Sequence, residues 1–314
     1  MTLSKSDVLK AFLDIQQDFP FNGYLNGRLK KYNSIVSVIS ARLTDGSNVL
    51  SLGSGPCDLE AILAKLGFNV VAIDDLSEHW HLIGNNRQRI IEFAKRSKVD
   101  LRIQSVCPLV AEQNYFDAVL LIDLIEHLDN SPRELLNNAI ACLKPNGILL
   151  ILTPNAVSLI KRLKAIFGKS SQTNIDLLYW NIGQYRFHTR EFTCAELKKV
   201  AAYHNLISIR YEMKNILVNT IEHKSCYMHI AALFYNNISG MYPNFRDTIL
   251  FSGIKPSNWM PTPYSIHEFK KTYPILDKYS LDDQTDSILA NEVKGENPLN
   301  NIDPYLIKKL LADS

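Results

Sequence analysis

The chain has 314 residues, of which 46% are hydrophobic and 21% are charged. That balance supplies enough apolar material for a buried core and excludes a wholly disordered chain. The 34 lysines and arginines against 32 aspartates and glutamates give a formal net charge of +2, which argues against a protein that coats nucleic acid through overall basic charge.

Three sequence patterns bear on the cellular compartment of the protein. The first 20 residues contain acids and lack the apolar core of a secretory signal, and no apolar run approaches the roughly 18 residues of a membrane helix. The five cysteines lie far apart without a C-x-x-C pair, which indicates free thiols rather than a zinc site. We therefore expect a cytoplasmic protein that contacts neither membrane nor nucleic acid.

The order of predicted elements indicates an α/β fold. Residues 1–45 are predicted to form a helical N-terminal cap, because Val8, Phe12 and Ile15 repeat at three- and four-residue spacing. Strands are predicted at residues 48–53, 70–73, 101–106, 116–122, 148–152, 207–213 and 248–253. Helices are predicted at residues 58–66, 81–98, 131–143, 191–203 and 225–235. Apolar strands that alternate with helices predict a doubly wound, mostly parallel, seven-stranded sheet with helices on both faces.

The alternation of strands and helices predicts a domain at residues 46–255. One segment inside this domain and one segment after it depart from the alternation. Residues 155–190 form an insertion whose aromatic side chains suit a substrate lid, or else an accessory packed helix: Tyr179, Trp180, Tyr185 and Phe187. Residues 157–167 within it are apolar and basic, a pattern more often packed in a protein than laid on a membrane. Residues 256–314 form a C-terminal extension, with a short helix at 304–311, that could wrap the domain, join a dimer or be disordered.

A glycine loop is the first feature that indicates chemistry. Gly53 and Gly55 follow a predicted strand and open a helix, so backbone N–H groups and the helix dipole are expected to face a ligand. Asp74 stands 19 residues after Gly55, at the end of the next strand, where a carboxylate can bind both hydroxyls of a ribose. A dinucleotide-binding loop would have glycine at position 58, which is Asp58 here. The pattern favours a nucleoside ligand over a tight turn alone.

These landmarks resemble class I S-adenosylmethionine-dependent methyltransferases, and among them the ubiquinone-biosynthesis O-methyltransferase-like group. Leu50, Leu52, Gly53 and Gly55 match the first motif of that family, V-L-D-L-G-C-G-x-G, while Ser51 replaces its Asp and Cys57 its third Gly. Five later motifs follow in the family's order, at residues 115–119, 124–128, 143–147, 153–155 and 187–193. The resemblance therefore covers about residues 45–215.

The resemblance implies S-adenosylmethionine as cofactor and a small-molecule acceptor, most simply a hydroxyl of a sugar, a lipid-linked saccharide or a phenolic natural product. It implies cofactor contacts at Gly53, Ser54, Gly55, Asp74, Ser105 and Asp123. Glu126 and His127 stand where the family places its catalytic groups, and histidine is the natural base near neutral pH. Three alternatives stay open: an N-methyltransferase, a 2′-O-methyltransferase of RNA ends, and a non-catalytic partner subunit that binds the cofactor.

A metal site is a further implication. Asp123, Glu126 and His127 are spaced i, i+3 and i+4, and His188 belongs to a loop that returns to the same rim. Small-RNA 3′-terminal 2′-O-methyltransferases and ubiquinone-biosynthesis O-methyltransferases have a similar combination. We therefore expect Glu126, His127 and His188 to bind a divalent ion, with Mn²⁺, Fe²⁺ or Zn²⁺ suited better than Mg²⁺. The alternative is that Glu126 favours a helix dipole, His127 forms a wall and His188 fixes its loop.

Overall fold

A computed structural model of the chain describes residues 3–183, 185–216 and 226–272. The chain divides into two compact units, Met1–Pro261 and Thr262–Ser314. The helix predicted at residues 304–311 lies outside the described residues. All of the residues that the sequence singled out for chemistry lie in the first unit.

Seven strands form one sheet in the order β3-β2-β1-β4-β5-β7-β6. The strands are β1 (Asn48–Leu52), β2 (Asn69–Asp74), β3 (Asp100–Ile103), β4 (Phe116–Ile122), β5 (Leu143–Pro154), β6 (Ile207–Lys214) and β7 (Thr248–Ile254). Strands β1 to β5 pair in parallel, whereas β7 lies antiparallel between β5 and β6. This arrangement confirms the predicted mostly parallel sheet and places the carboxyl ends of β1, β2, β4 and β5 at one edge.

Helices cover both faces of this sheet. The first unit contains α1 (Lys5–Asp18), α2 (Leu29–Ser40), α3 (Asp58–Lys65), α4 (His79–Leu82), α5 (Asn86–Arg96), α6 (Pro132–Cys142), α7 (Leu159–Ile166), α8 (Ile175–Tyr179), α9 (Cys194–Tyr203) and α10 (Cys226–Met241), and the second unit contains α11 (Ile266–Thr272). Alternate side chains of one strand enter opposite cores: Val49 packs with α1, α2 and α3, while Leu50 packs with α6 and α9. The period of two in each strand thus gives two buried faces.

The predicted N-terminal helical cap is confirmed and consists of two helices, α1 and α2. Helix α1 begins after Ser4, whose hydroxyl accepts from the Asp7 N–H while the Asp7 carboxylate accepts from the Ser4 N–H, a reciprocal capping box. Gly23 and Gly27 adopt left-handed backbone angles between α1 and α2, which breaks the helix there. Phe12 of α1 then packs on Tyr32 of α2, with ring centroids 5.8 Å apart.

Two predicted boundaries are wrong for local reasons. The helix predicted at residues 81–98 is divided into α4 and α5, because Gly84 takes a φ of +55° between them. The strand predicted at residues 101–106 ends at Ile103, since the Ser105 hydroxyl accepts from the Cys107 N–H in a tight turn and Pro108 follows. Side chains that bond the local backbone compete with a strand ladder in this way.

The insertion at residues 155–190 contains α7 and α8, and neither helix buries a residue. Tyr179 and Trp180 are 73% and 74% exposed. The apolar side chains of these two helices therefore face outward, so the expected burial of residues 157–167 in the protein is not what the structure shows. Among the described helices, none combines the length and the apolar character needed to cross a membrane.

Candidate active site

The loops after β1, β2 and β4 surround a cavity of about 220 Å³ at the carboxyl edge of the sheet. Parallel strands all end at this edge, so groups distant in sequence meet there. Its charged lining residues are four acids, Asp58, Glu60, Glu78 and Asp123, and two cations, Arg28 and Lys31. The glycine loop, residues 53–56, and the two histidines His81 and His127 complete the polar part of the wall.

The glycine loop folds as the sequence predicts, with left-handed φ angles of +68° at Gly53 and +55° at Gly55. A Cβ on Gly53 would lie 2.8 Å from the Leu124 side chain, whereas a Cβ on Gly55 would meet nothing within 4 Å. Gly53 is therefore required by a close contact inside the protein. Gly55 leaves open space beside the cavity.

The backbone amides of this loop point away from the cavity, which corrects the expectation that they face a ligand. The N–H groups of Gly53 and Ser54 donate to the Ile73 carbonyl at 2.8 and 3.4 Å. The N–H of Gly55 donates to Asp74 Oδ2 at 2.7 Å. With its donors already used, the loop is not built to bind a phosphate group, which needs several free N–H groups.

Asp74 fastens the glycine loop to the end of β2. Its second oxygen, Oδ1, accepts from the Leu76 N–H at 2.7 Å. Asp74 is not among the residues that line the cavity, and its ribose contact stays a prediction. His81, which follows Asp74 in the sequence and could edge an adenine pocket, lines the cavity at this end. It is 1% exposed, and neither ring nitrogen has a partner among the described residues.

The other predicted cofactor residues are placed differently from one another. Ser54 and Asp123 line the cavity, and the Asp123 carboxylate forms an ion pair with Lys31 of α2. A second cavity of about 410 Å³ adjoins the first at this ion pair. Ser105 is exposed and outside the lining, and its hydroxyl donates to the Cys107 carbonyl at 2.7 Å, so the geometry does not support its predicted cofactor contact.

Glu60 is a buried carboxyl group that the sequence analysis missed. It lies in the first turn of α3, is 2% exposed, and accepts from the Ser51 hydroxyl at 2.5 Å through Oε1. Its other oxygen, Oε2, has no hydrogen-bond partner in the described part of the chain. Burial, with the nearby charge of Asp58, raises the pKa of Glu60 to about 8.

The structure brings Glu126, His127 and His188 together. One ligand-type atom from each of the three lies within 4.8 Å of the others, and the two imidazole centroids are 4.8 Å apart. Glu126 and His127 belong to a 3₁₀ turn after β4, while His188 comes from the insertion. Asp123, spaced i, i+3 from Glu126, is engaged by Lys31 instead.

Hydrogen bonds orient both imidazoles in the same sense. His127 Nδ1 lies 2.8 Å from the Arg186 carbonyl, and His188 Nδ1 lies 3.0 Å from Glu191 Oε1. Each acceptor fixes a proton on Nδ1 and leaves a lone pair on Nε2, which is how metal-binding histidines are commonly held. Glu126 is fully buried. Its Oε2 accepts from Thr153, and its Oε1 has no partner among the described residues.

The pKa values of these three groups are shifted by their surroundings. Burial, with repulsion from Asp123, raises the pKa of Glu126 to about 7. Burial, with the adjacent His188, lowers the pKa of His127. The hydrogen bond to Glu191 raises the pKa of His188. Shifts of this kind cluster at functional sites, because such sites bury ionisable groups beside one another.

The insertion is attached to this edge by polar contacts on both sides of the cavity mouth. Arg186 pairs with Asp75 at 3.3 Å, and His79 Nε2 lies 2.6 Å from the Ile182 carbonyl. The Thr189 N–H donates to the Glu126 carbonyl at 2.8 Å. The insertion therefore spans from the end of β2 to the turn after β4, the position predicted for a lid.

Known proteins resemble this chain in sequence over its central part. A family model for the methyltransferase domain matches residues 24–206. The ubiquinone biosynthesis O-methyltransferase of Xanthomonas axonopodis pv. citri is 38% identical over 119 residues, which are 37% of this chain and 47% of that protein. The protein of the same name from Rickettsia canadensis is 32% identical over 124 residues, 38% of this chain and 49% of that protein. The chain thus spans about half the length of the curated relatives it matches.

A solved structure resembles the fold. Phosphoethanolamine N-methyltransferase 2 of Haemonchus contortus, in complex with S-adenosyl-L-methionine, superposes with a TM-score of 0.51 at 17% identity and covers 81% of this chain and 60% of that one. At this identity the likeness concerns the fold alone.

The raised pKa of Glu60 predicts a pH dependence of stability. An acid that binds its proton more tightly in the folded state contributes stability that is complete below its ordinary pKa of 4.5 and is lost as the pH rises through about 8. Glu60→Gln removes this titration. We expect urea denaturation to show that the variant gains on the order of 3 kcal/mol relative to wild type between pH 5 and pH 8.

The matched control is Glu92→Gln, an exposed position on α5, whose difference from wild type should not change over the same range. A difference for Glu60→Gln that stays constant between pH 5 and pH 8 would show that Glu60 ionises normally in the folded protein.

Proposed function

The chain belongs to the methyltransferase-domain family, and on that premise we propose that it is an S-adenosylmethionine-dependent methyltransferase that modifies a hydroxyl group of a small molecule. The names of the O-methyltransferases that it resembles support the choice of oxygen as the acceptor atom. The proposal concerns the whole activity, since the resemblance to those proteins covers about half of their length.

The observation that carries the cofactor assignment is the charge of the cavity. Four acids and two cations line it, and the loop amides at Gly53, Ser54 and Gly55 are used inside the protein. A dinucleotide would bring a negative pyrophosphate to amides that cannot bind it. S-adenosylmethionine has no phosphate and carries a sulfonium, an ammonium and one carboxylate, so that its net positive charge suits an acidic cavity.

Bound there, S-adenosylmethionine supplies a methyl group on a sulfonium that needs no activation by the protein. The chain's own task is to orient the ligand and exclude water. Asp74 holds the loop that leaves space beside Gly55. His81 lines the same cavity, and its ring nitrogens, which have no partner among the described residues, would bind the polar edge of the adenosine. The insertion contacts the segment after β2 through Arg186 and at His79, which supports a role for it as a lid that limits access of water.

The three grouped side chains fit a divalent ion. Within the part of the chain that the structure describes, Glu126 Oε1 is buried without a partner, and the oxygen acceptor at each Nδ1 leaves a lone pair on Nε2 of His127 and of His188. One carboxylate and two imidazoles suit Mn²⁺, Fe²⁺ or Zn²⁺. The ion would lower the pKa of an acceptor hydroxyl. Since His127 also lines the cofactor cavity, an acceptor at this triad would lie beside the cofactor and beneath the insertion.

The cofactor assignment predicts the effect of removing Asp74. Asp74→Ala removes a charged group that accepts two hydrogen bonds from backbone amides, each worth about 1.5–3 kcal/mol. The glycine loop therefore loses its fixed position. We expect calorimetric titration to show at least a tenfold weaker affinity for S-adenosylhomocysteine.

Asp117→Ala is the matched control for that variant, because Asp117 also accepts from a backbone amide, the Asn48 N–H at 2.8 Å, but lies at the start of β4 and does not line the cavity. Its affinity should stay within about threefold of wild type. Equal losses in the two variants would remove the special role of Asp74, and no binding to wild type would contradict the cofactor assignment.

The metal assignment predicts a binding event that depends on His188. We expect Mn²⁺ titrated into metal-stripped protein to bind with one-to-one stoichiometry, followed by calorimetry or by the electron paramagnetic resonance signal of free Mn²⁺. His188→Ala should weaken this binding at least tenfold, because one of three ligands is lost. His267→Ala, an exposed histidine, serves as the control and should bind as wild type does.

Methyl transfer that continues at full rate in metal-stripped protein would contradict metal assistance. In that case Nε2 of His127 would be the proton acceptor for the hydroxyl.

A further inference from the structure

The strongest unexplained group in the cavity is the Glu60 carboxylate. It is almost completely buried and lines the cavity beneath the glycine loop. Only one of its oxygens has a side-chain partner, the Ser51 hydroxyl, while Oε2 has none among the described residues. A buried carboxyl oxygen without a partner loses its hydration and gains nothing in return. The mechanism described above does not use this group.

The surroundings of Glu60 make its burial more costly still. Asp58 lies close enough to repel it, and Asp74 adds to that repulsion. Tyr32 donates its hydroxyl to Asp58 and so satisfies that second carboxylate, but not Glu60. The two cations of the lining are engaged elsewhere: Lys31 pairs with Asp123, and Arg28 donates through Nε to the Tyr24 carbonyl and stacks on the Tyr24 ring.

A ligand that binds this group in its ionised form must be positive and must carry donor hydrogens. An isolated buried charge is stabilised by an opposite charge at hydrogen-bond distance, and the free lone pairs of Oε2 require a donor hydrogen. A sulfonium has no hydrogen on sulfur and cannot supply one. A primary ammonium supplies three.

We propose that Glu60 is the subsite for the α-ammonium group of the cofactor's methionine portion, with Oε2 accepting its N–H. This inference rests on the proposed function, because it assumes that S-adenosylmethionine occupies the cavity. It assigns a binding role to a residue in α3, where the sequence pattern offered no signal.

The assignment also explains Ser51. The residue lies in the middle of β1 with its hydroxyl donated to Glu60, at the position where the first motif of the resembling family has Asp. Because the Ser51 side chain is small, a carboxylate from the neighbouring helix fits beside it, and the Ser51 hydroxyl donates a hydrogen bond to that carboxylate. The pair Ser51 and Glu60 therefore places a carboxylate beside β1 although the strand itself contains none.

The test is a thermodynamic double-mutant cycle in which one change is made in the protein and the other in the ligand. S-adenosylhomocysteine and its analogue without the α-amino group are titrated calorimetrically into wild type and into Glu60→Gln, which keeps the side-chain volume. In wild type we expect loss of the amino group to weaken binding about 10- to 100-fold, the range for a hydrogen bond to a charged group. In Glu60→Gln the two ligands should bind within about threefold of each other.

The possible results separate the two proposals. Equal affinity of the two ligands for wild type overturns the Glu60 assignment without any variant, and leaves the cofactor assignment in place. An amino-group effect that is as large in Glu60→Gln as in wild type overturns it as well. Absence of binding of either ligand to wild type overturns the proposed function and this inference together.

A rescue variant separates a binding role of Glu60 from a purely structural one, because only a binding role makes the ligand preference depend on where the carboxylate stands. Ser51→Asp combined with Glu60→Gln returns one carboxylate to the same pair of side chains, with the acid now on β1. We expect the preference for the ligand with the amino group to return in this double variant. Tight binding of S-adenosylhomocysteine by the double variant without that preference would contradict the assignment.

Discussion

The desolvation of carboxylates at the carboxyl edge of the sheet is the constraint on which the rest of the site depends. Glu60 and Glu126 are both buried there, and each has one oxygen without a partner among the described residues. A group in that state raises its pKa or binds a cation, and burial raises the pKa of both groups. In our proposals, positive ligands would stabilise this edge: an organic ammonium beside Glu60, and a divalent ion held by Glu126, His127 and His188.

Further polar contacts fix the side chains and the loop around the two carboxylates of Glu60 and Glu126. Asp74 uses both oxygens on backbone amides of the loop and of the end of β2, which sets the wall between the cofactor and the core. Lys31 neutralises Asp123 between the two carboxylates. The Arg186 carbonyl on the insertion fixes the Nδ1 proton of His127, and Glu191, directly after the insertion, fixes that of His188. Glu60 and His127 line the same cavity, so a cofactor held through its ammonium at Glu60 would lie in the cavity that His127 borders, and the protein would supply the proximity that transfer requires.

Local patterns in the sequence were sufficient for the fold and for part of the site. The apolar strands, the Gly53–Gly55 loop and the pairing of Glu126 and His127 with a distant His188 are visible as spacing and order, and the structure confirms the sheet and brings those three side chains together. The direction of the loop amides was not predictable, because it depends on the Ile73 carbonyl of a neighbouring strand. Glu60 was missed because its partner Ser51 comes from another element, and its burial follows from the packing of α3 against β1 rather than from a motif.

The most direct test of this account is a crystal structure of the protein with S-adenosylhomocysteine and Mn²⁺, with anomalous data collected at the manganese edge. The account predicts the ligand's amino nitrogen within hydrogen-bond distance of Glu60, about 2.7–3.2 Å. It also predicts one anomalous peak in contact with Glu126, His127 and His188. A ligand whose amino group lies away from Glu60, or an anomalous peak that avoids these three side chains, would contradict the claim that buried carboxylates at this edge are cation sites.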